Sequence, residues 1–207
     1  MPTELLVIGA GGHAKVVIEA IQENSQARCI ILADQDKTKV GQKVLGKLAI
    51  QNLNSWAKLP MQCHVAIGDN RIRQQLNIEA MEQGKQPLTV MHTNASVSPS
   101  ACLGSGSFVA AKVVISAEAK IEEGCIINHG SIVDHDCRIG AYSHIAPNAT
   151  LGGGVDVGRR CLIGAGAVLL PGIKLGDDVT VGAGSVVVKD ISSGEVVYGV
   201  PAKCLNG

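Results

Sequence analysis

Aromatic side chains are scarce: 207 residues include one Trp, one Phe and two Tyr. Large rings therefore cannot carry the core, and stability has to come from aliphatic packing. Net charge is missing as well. Eighteen Lys and Arg balance eighteen Asp and Glu, with no long run of either sign, so nothing invites a nucleic acid or an acidic membrane. The longest apolar run near the start, residues 5–10, is too short for a secretory leader or a membrane span. None of the seven cysteines falls in a CxxC pair, which argues against a zinc knuckle or redox motif and for a reduced, cytoplasmic protein.

What the chain does have is a period. From 91 to 187 an aliphatic residue recurs at every sixth position: Met91, Val97, Leu103, Val109, Ile115, Ile121, Ile127, Val133 and so on to Val187. Four residues after each stands a small or β-branched one, such as Ala95, Ser107, Cys125 or Ser143. A helix repeats at about 3.6 residues and a strand at about 2, so neither demands a strict six. A solenoid that turns a corner every six residues does, and the spacing predicts a parallel β-helix. Three hexads close a triangular coil of about 18 residues, and coils stack about 4.8 Å apart. Glycine often follows the aliphatic residue (Gly104, Gly140, Gly152, Gly158), where it is expected to take positive φ at a corner. Cys125, Cys137 and Cys161 fall on inward positions and read as small packing groups.

The first 90 residues follow another rule. Leu5, Leu6, Val7 and Ile8 predict a buried strand, followed by Gly9-Ala10-Gly11-Gly12-His13-Ala14 and helical spacing over 14–24. Further strands are expected at 29–32, 65–67 and 88–91, with a second helix over 72–83. The alternation argues for a small, Rossmann-like parallel α/β sheet with a ligand crevice at the strands' carboxyl ends. The division predicted is a nucleotide-binding domain at 1–90, a β-helix at 91–190 and a tail at 191–207. The glycine turn has the form G-x-G-x-x-A between a strand and a helix, with Asp34 twenty residues after Ala14. Such glycines let backbone approach a phosphate, and a helix N-terminus favours its charge. The short unit suits one mononucleotide half better than a whole dinucleotide domain.

Three of six histidines interrupt the repeat within 128–144: His129, His135 and His144. None occupies an inward slot, so all three are expected to point outward. Asp134 and Asp136 flank His135, and a neighbouring carboxylate raises an imidazole's pKa, as a general base near neutral pH requires.

The GAGGHA turn, the α/β cap, the unbroken hexads, the Asp134-His135-Asp136 segment and Gly199-Val200-Pro201-Ala202-Lys203 together resemble the left-handed β-helix acyltransferases. The likeness covers nearly the whole chain. It is strongest to the branch acting on nucleotide-linked amino sugars, typified by the UDP-4-amino-sugar N-acetyltransferases of the bacillosamine pathway; sialic acid O-acetyltransferases and GDP-perosamine N-acetyltransferases share the layout. The left hand of the coil comes from this resemblance, since such folds depart from the right-handed crossover rule.

The resemblance implies a set of roles. His135 matches the general base, and Asp136 stands where a carboxylate, often glutamate, supports it. His144, Gly153, Ala165 and Ala183 match positions along acetyl-coenzyme A, the acetyl donor. Gly11, Gly12, His13, Asp34, Gly68 and Asn70 match the nucleotide site, and Asn128 faces the acceptor sugar. The relatives are homotrimers with sites between protomers, metal-independent, binding neither nucleic acid nor membrane. The reaction implied is direct acetyl transfer to the 4-amino group of a UDP-linked 4-amino-4,6-dideoxy-N-acetylhexosamine, for glycan biosynthesis, with no cysteine placed as a nucleophile. The alternative outside acyl transfer is a γ-type carbonic anhydrase holding zinc on His129, His135 and His144.

Overall fold

Four consecutive buried residues, Leu5, Leu6, Val7 and Ile8, place β1 (Glu4–Ile8) at the centre of a sheet, because a strand covered on both faces needs apolar side chains on both. The computed structural model describes residues 4–25, 27–53 and 56–205. After β1 come α1 (Gly12–Glu23), β2 (Cys29–Asp34), β3 (Lys43–Val44), β4 (Leu48–Asn52), β5 (Gln62–Val65), α2 (Asn70–Glu82) and β6 (Gln86–Pro87). The sheet order is β3-β4-β2-β1-β5-β6, parallel throughout except for the β3–β4 pair. α1 buries Ala14, Val17, Ile18, Ala20 and Ile21 in a core continuous with the rest of the molecule. α2 covers the other face over Leu6, Ile8, Cys63 and Val65.

Three boundaries differ from the sequence expectation. The strand expected at 65–67 ends at Val65, and Ala66 bonds back to the Ile8 carbonyl as the chain leaves the sheet. The segment 88–91 is not one strand: Leu88 donates to Cys63 in the cap, whereas Val90 donates to Ser107 in the column, so the chain changes sheets there. The β3–β4 hairpin was unforeseen, because its short strands are broken by charge and a left-handed Leu45-Gly46 turn.

From Val90 onward two-residue strands alternate with corners, each strand pairing in parallel with one eighteen residues on, as Val90 with Phe108 and Phe108 with Ile126. They build three faces of a left-handed triangular column. The first face runs through Phe108–Val109, Ile126–Ile127, His144–Ile145 and Leu162–Ile163, the second through Val114–Ile115 and Ile132–Val133, the third through Lys120–Ile121 and Arg138–Ile139. The hexad aliphatics from Val109 to Val187 all point inward and are buried. A hairpin of Val196–Tyr198 with Lys203–Cys204 closes the lower end of the first face.

The corner glycines do a different job from the one expected. Positive φ falls three residues after each aliphatic from Leu103 to Val181, at Gly106, Lys112, Glu118, Gly124, Gly130, Asp136 and every sixth position to Gly184. The glycines directly after the aliphatics are needed for closeness between coils. A Cβ on Gly140 would lie 2.6 Å from the Gly158 carbonyl carbon, and one on Gly158 would lie 2.5 Å from that of Gly176.

The cap sits on the first face. Phe108 and Ile126, outward residues of that face, are each 1% exposed beneath it. The Asn24 amide donates to the Met91 carbonyl at 2.9 Å, and His92 lies 2.7 Å from the Glu23 carboxylate.

Candidate active site

The glycine turn spends its first amide on the sheet, Gly9 N–H donating to the Ala33 carbonyl at 2.8 Å. Gly9 takes φ +101°, and a side chain there would strike Ile67. Gly11 caps α1 without a side-chain bond, and nothing lies within 4 Å of a Cβ on Gly11 or Gly12. No side chain caps the first-turn N–H groups of α1, and the positive end of the helix dipole lies behind them. Asp34, 8% exposed, accepts from the Ala10 and Asp36 amides at 2.9 and 2.8 Å and from Lys39 Nζ at 3.1 Å, which ties the end of β2 to the turn.

His13, in the first turn of α1, meets Phe108 edge-on at 5.2 Å, and its Nε2 is buried with no partner. Burial, then the neighbouring His64, pushes its pKa down to about 3. His64 bonds the Leu88 carbonyl at 2.9 Å and is held near 4 by burial. His144 stands in the outward column of the first face after Phe108 and Ile126. Its Nε2 lies 3.1 Å from the Asn128 amide nitrogen, burial lowers its pKa to about 4, and a bond to the Gly68 backbone opposes that shift. His144 points outward from the column, as expected, but beneath the cap rather than on a free face, and it joins Asn128 to the Gly68 loop as a neutral imidazole.

The seam is held by Arg73, which is 1% exposed. Its five N–H groups reach the carbonyls of Gly124, Tyr142, Ile67 and Gly68 and Oδ1 of Asn70, at 2.7 to 3.1 Å. No carboxylate is among these acceptors, and burial lowers the guanidinium pKa to about 10. Asn70 completes the clamp, its amide donating to the carbonyls of Arg160 and Cys161 at 3.0 Å. Asn70 thus binds the column with its side chain, while the Gly68 backbone bonds Arg73 and His144. Sequence reasoning missed Arg73. The signal was an arginine on the apolar face of α2, in step with Leu76, Asn77 and Ala80.

His135 and Asp136 lie elsewhere. They occupy the corner between the second and third faces, the edge opposite the face that carries the cap. His135 Nδ1 stands 2.8 Å from Asp136 Oδ2, the two side chains being 60% and 64% exposed. A carboxylate only accepts, so Nδ1 carries the proton and Nε2 presents a lone pair. The Asp136 hydrogen bond, then the charge of Asp134, raises the pKa of His135 above its ordinary value. Aspartate in place of the commoner glutamate still reaches, aided by the left-handed φ of +59° at Asp136. Gly153 lies one coil below His135, and a side chain there would meet the imidazole. Ala165 and Ala183 are exposed in another column, the corner between the first and second faces that also holds His129.

Among the described residues, no three His, Cys, Asp or Glu side chains group as a metal site. His129, His135 and His144 stand in three different columns of one chain, which does not favour the zinc reading. The thiols of Cys125 and Cys161 are pushed up to about 12 and about 11 by burial, so neither is a ready nucleophile.

An α/β cap with an open glycine turn, docked on a six-residue solenoid that exposes a carboxylate-supported imidazole, defines a hexapeptide-repeat acyltransferase. Residues 4–79 match the family described as PglD N-terminal domain, 118–153 the bacterial transferase hexapeptide and 154–189 the hexapeptide repeat of succinyl-transferase. GDP-perosamine N-acetyltransferase of Escherichia coli O157:H7 is 31% identical over 153 residues, covering 71% of this chain and 69% of that protein. UDP-N-acetylbacillosamine N-acetyltransferase of Bacillus subtilis is 36% identical over 109 residues, about half of each chain. Among solved structures, the acetyltransferase domain of PglB from Neisseria gonorrhoeae in complex with acetyl coenzyme A superposes with a TM-score of 0.94 at 39% identity, covering 99% of this chain and 100% of that one. PerB from Caulobacter crescentus, in complex with CoA and GDP-perosamine, gives 0.90 at 41%, covering 97% and 96%. The chain belongs to the PglD-type hexapeptide-repeat sugar N-acetyltransferases, acetyl-CoA-dependent enzymes that act on nucleotide-linked amino sugars.

Proposed function

We propose that this chain acetylates the 4-amino group of a nucleotide-linked 4,6-dideoxy sugar in a homotrimer, with His135 as general base. The observation that carries this reading is the position of His135 on the edge opposite its own cap. A nucleotide held by the glycine turn is out of reach of that imidazole, so the cap of one protomer has to serve His135 of the next. The second face supplies a surface for the contact: its outward ladder includes Val114 and Ile132, each 38% exposed, then Thr150, Val168 and Val186. With that face at the interface, the Gly153 edge of one copy meets the Ala165 and Ala183 edge of another, and the two line a groove for acetyl-coenzyme A.

Each group then has a task. Gly11, Gly12 and His13 hold the pyrophosphate at the α1 N-terminus, and Asp34 and Gly68 frame the nucleoside. Asn128, steadied by neutral His144, faces the sugar. Acetyl-coenzyme A supplies the activated acetyl group. His135 Nε2 removes the proton as the amine attacks, and Asp136 and Asp134 stabilise the resulting imidazolium. Fixing amine and base in one groove lowers the entropic part of the barrier. The seven unpaired cysteines fit a reducing cytoplasm, and no described helix is long and apolar enough to cross a membrane.

A thiol-release assay with acetyl-coenzyme A against a panel of nucleotide amino sugars tests the reading. Release only with 4-amino acceptors is expected; release with hydroxyl-bearing sugars alone overturns it. UDP- and GDP-linked sugars share this chemistry and differ only in the base that the cap must hold.

A further inference from the structure

His129 has no task in the reaction above, yet its place in the coil singles it out. It lies on the edge between the first and second faces, in line with Ala165 and Ala183. Its backbone is fixed at both ends: the N–H donates to Asn128 Oδ1 at 2.9 Å, and the carbonyl accepts from the Asn148 amide at 2.9 Å. The Asn148 carboxamide also covers Gly130, the next residue, so this corner has one shape. Among the described residues nothing bonds the half-buried imidazole. After burial and the charges of His64, His144 and Arg73, that of His129 also lowers the pKa of His13, which places the ring near the N-terminus of α1. Nε2 of His13 is itself buried without a partner, so two rings with unspent nitrogens stand together there.

Height decides what His129 faces. One coil of 18 residues rises about 4.8 Å, so six residues along the chain rise about 1.6 Å. In a trimer whose axis runs along the columns, rotation keeps every residue at its own height. The edge that carries His135 then meets the His129 edge of its partner, with the two imidazoles about 1.6 Å apart in height. Pro147, the next residue in line below His129, is about 3.2 Å off and has no polar side chain. We propose that His129 of the partner subunit forms the second wall of the acetylation site, opposite His135, and hydrogen-bonds the hydroxyl beside the acceptor amine. The inference rests on the trimer and the amino-sugar reading above. An imidazole in its neutral form offers one donor and one acceptor nitrogen, which suits a hydroxyl. His129 belongs to the chain whose cap holds the sugar, whereas the base comes from the other copy. The offset in height matches substituents on neighbouring ring carbons rather than one shared atom. Its consequence is selectivity: the site recognises an amine with a hydroxyl next to it.

Kinetics with 4-amino nucleotide sugars and acetyl-coenzyme A test this on the full-length protein. His129→Ala should lower kcat/KM for the acceptor about 10-fold or more, the worth of a hydrogen bond left unmade, with melting temperature and acetyl-coenzyme A affinity unchanged. His129→Gln, which keeps a donor and an acceptor, should recover most of that loss. On an acceptor with hydrogen in place of the hydroxyl beside the amine, wild type and His129→Ala should agree within about 2-fold, because both deletions remove one interaction. Co-expressing His129→Ala chains with His135→Ala chains tests the pairing between copies. Random trimers join an intact His135 to an intact His129 at about one site in four, so activity should rise to about a quarter of wild type, above either parent. Wild-type kinetics in His129→Ala, equal penalties on both acceptors, or mixed trimers no better than their parents would overturn the proposal and leave acetyl transfer in place. No thiol release by the wild type with any amino sugar would instead overturn the reaction on which it rests.

Discussion

Gly153 lies against the imidazole of His135: a methyl group on its Cα would stand 2.5 Å from Nε2 and 2.6 Å from Cε1. The nearest atoms belong to an exposed side chain, so that ring can swing aside without disturbing the coil. Gly153→Ala should therefore keep its stability within about 0.5 kcal/mol of wild type, typical of a surface change. The displaced base should lower kcat about 10-fold or more. Thermal unfolding and steady-state kinetics on one preparation separate the two effects.

Removing the imidazole asks a different question. His135→Ala should reduce turnover by about 10²–10⁴-fold, the usual contribution of a general base, with the oligomer intact by sedimentation. Near-normal turnover would rule out His135 as base. Asp136→Asn keeps a residue that tolerates left-handed φ and loses the charge. Because Asp136 raises the His135 pKa, the acid limb of the pH–kcat profile should move to lower pH in this variant.

The seam between cap and column should be acid-sensitive. His13, His64 and His144 are held at about 3, about 4 and about 4, against 6.5 when exposed. Below pH 6.5 the unfolded chain takes up protons that the folded chain refuses, so stability is highest above that pH and falls as pH drops toward 4. Each histidine contributes on the order of 1.4 kcal/mol per pH unit across that window. Melting temperatures from pH 7 to 4 give the slope, and His64→Gln should flatten it.

Arg73→Met should cost about 3–5 kcal/mol, as expected for breaking a buried, fully bonded charge, and should loosen the cap before the column. Hydrogen exchange would show protection lost first around Ile67 and Gly68, while inner strands such as Ile127 and Ile145 stay protected.

Glycine substitutions along the column should divide by position. Gly158→Ala drives a Cβ into the Gly176 backbone and should destabilise by about 1–3 kcal/mol. Gly166→Ala meets open space at φ +67° and should cost only about 1–2 kcal/mol of left-handed strain. A larger loss at Gly166 than at Gly158 would contradict the two roles assigned to corner glycines.

The column was legible from the period because every inward hexad position obeys one rule, set by the next coil rather than by distant parts of the chain. The cap's central strand and first helix were legible from Leu5 to Ile21 for a similar local reason. What stayed hidden depends on contacts between the two units. The burial of His144 and the carbonyl cage of Arg73 arise only when α2 meets the Gly124 and Tyr142 corners, and no pattern within either segment encodes that meeting. His135 with Asp136 was readable because both partners sit side by side in sequence. The hydrogen bond from Gln35 to Glu79 in the cap was not, since forty-four residues separate the two.

Eighteen-residue pairing makes the column a ruler with fixed graduations. Cap and imidazole hang from the same scale, so one whole turn inserted between them would shift their separation by about 4.8 Å and leave every inward row aligned. Lineages of this architecture can therefore retune the gap between sugar grip and base only in whole notches, with finer adjustment left to loops such as Gly68 and to side chains on the rim.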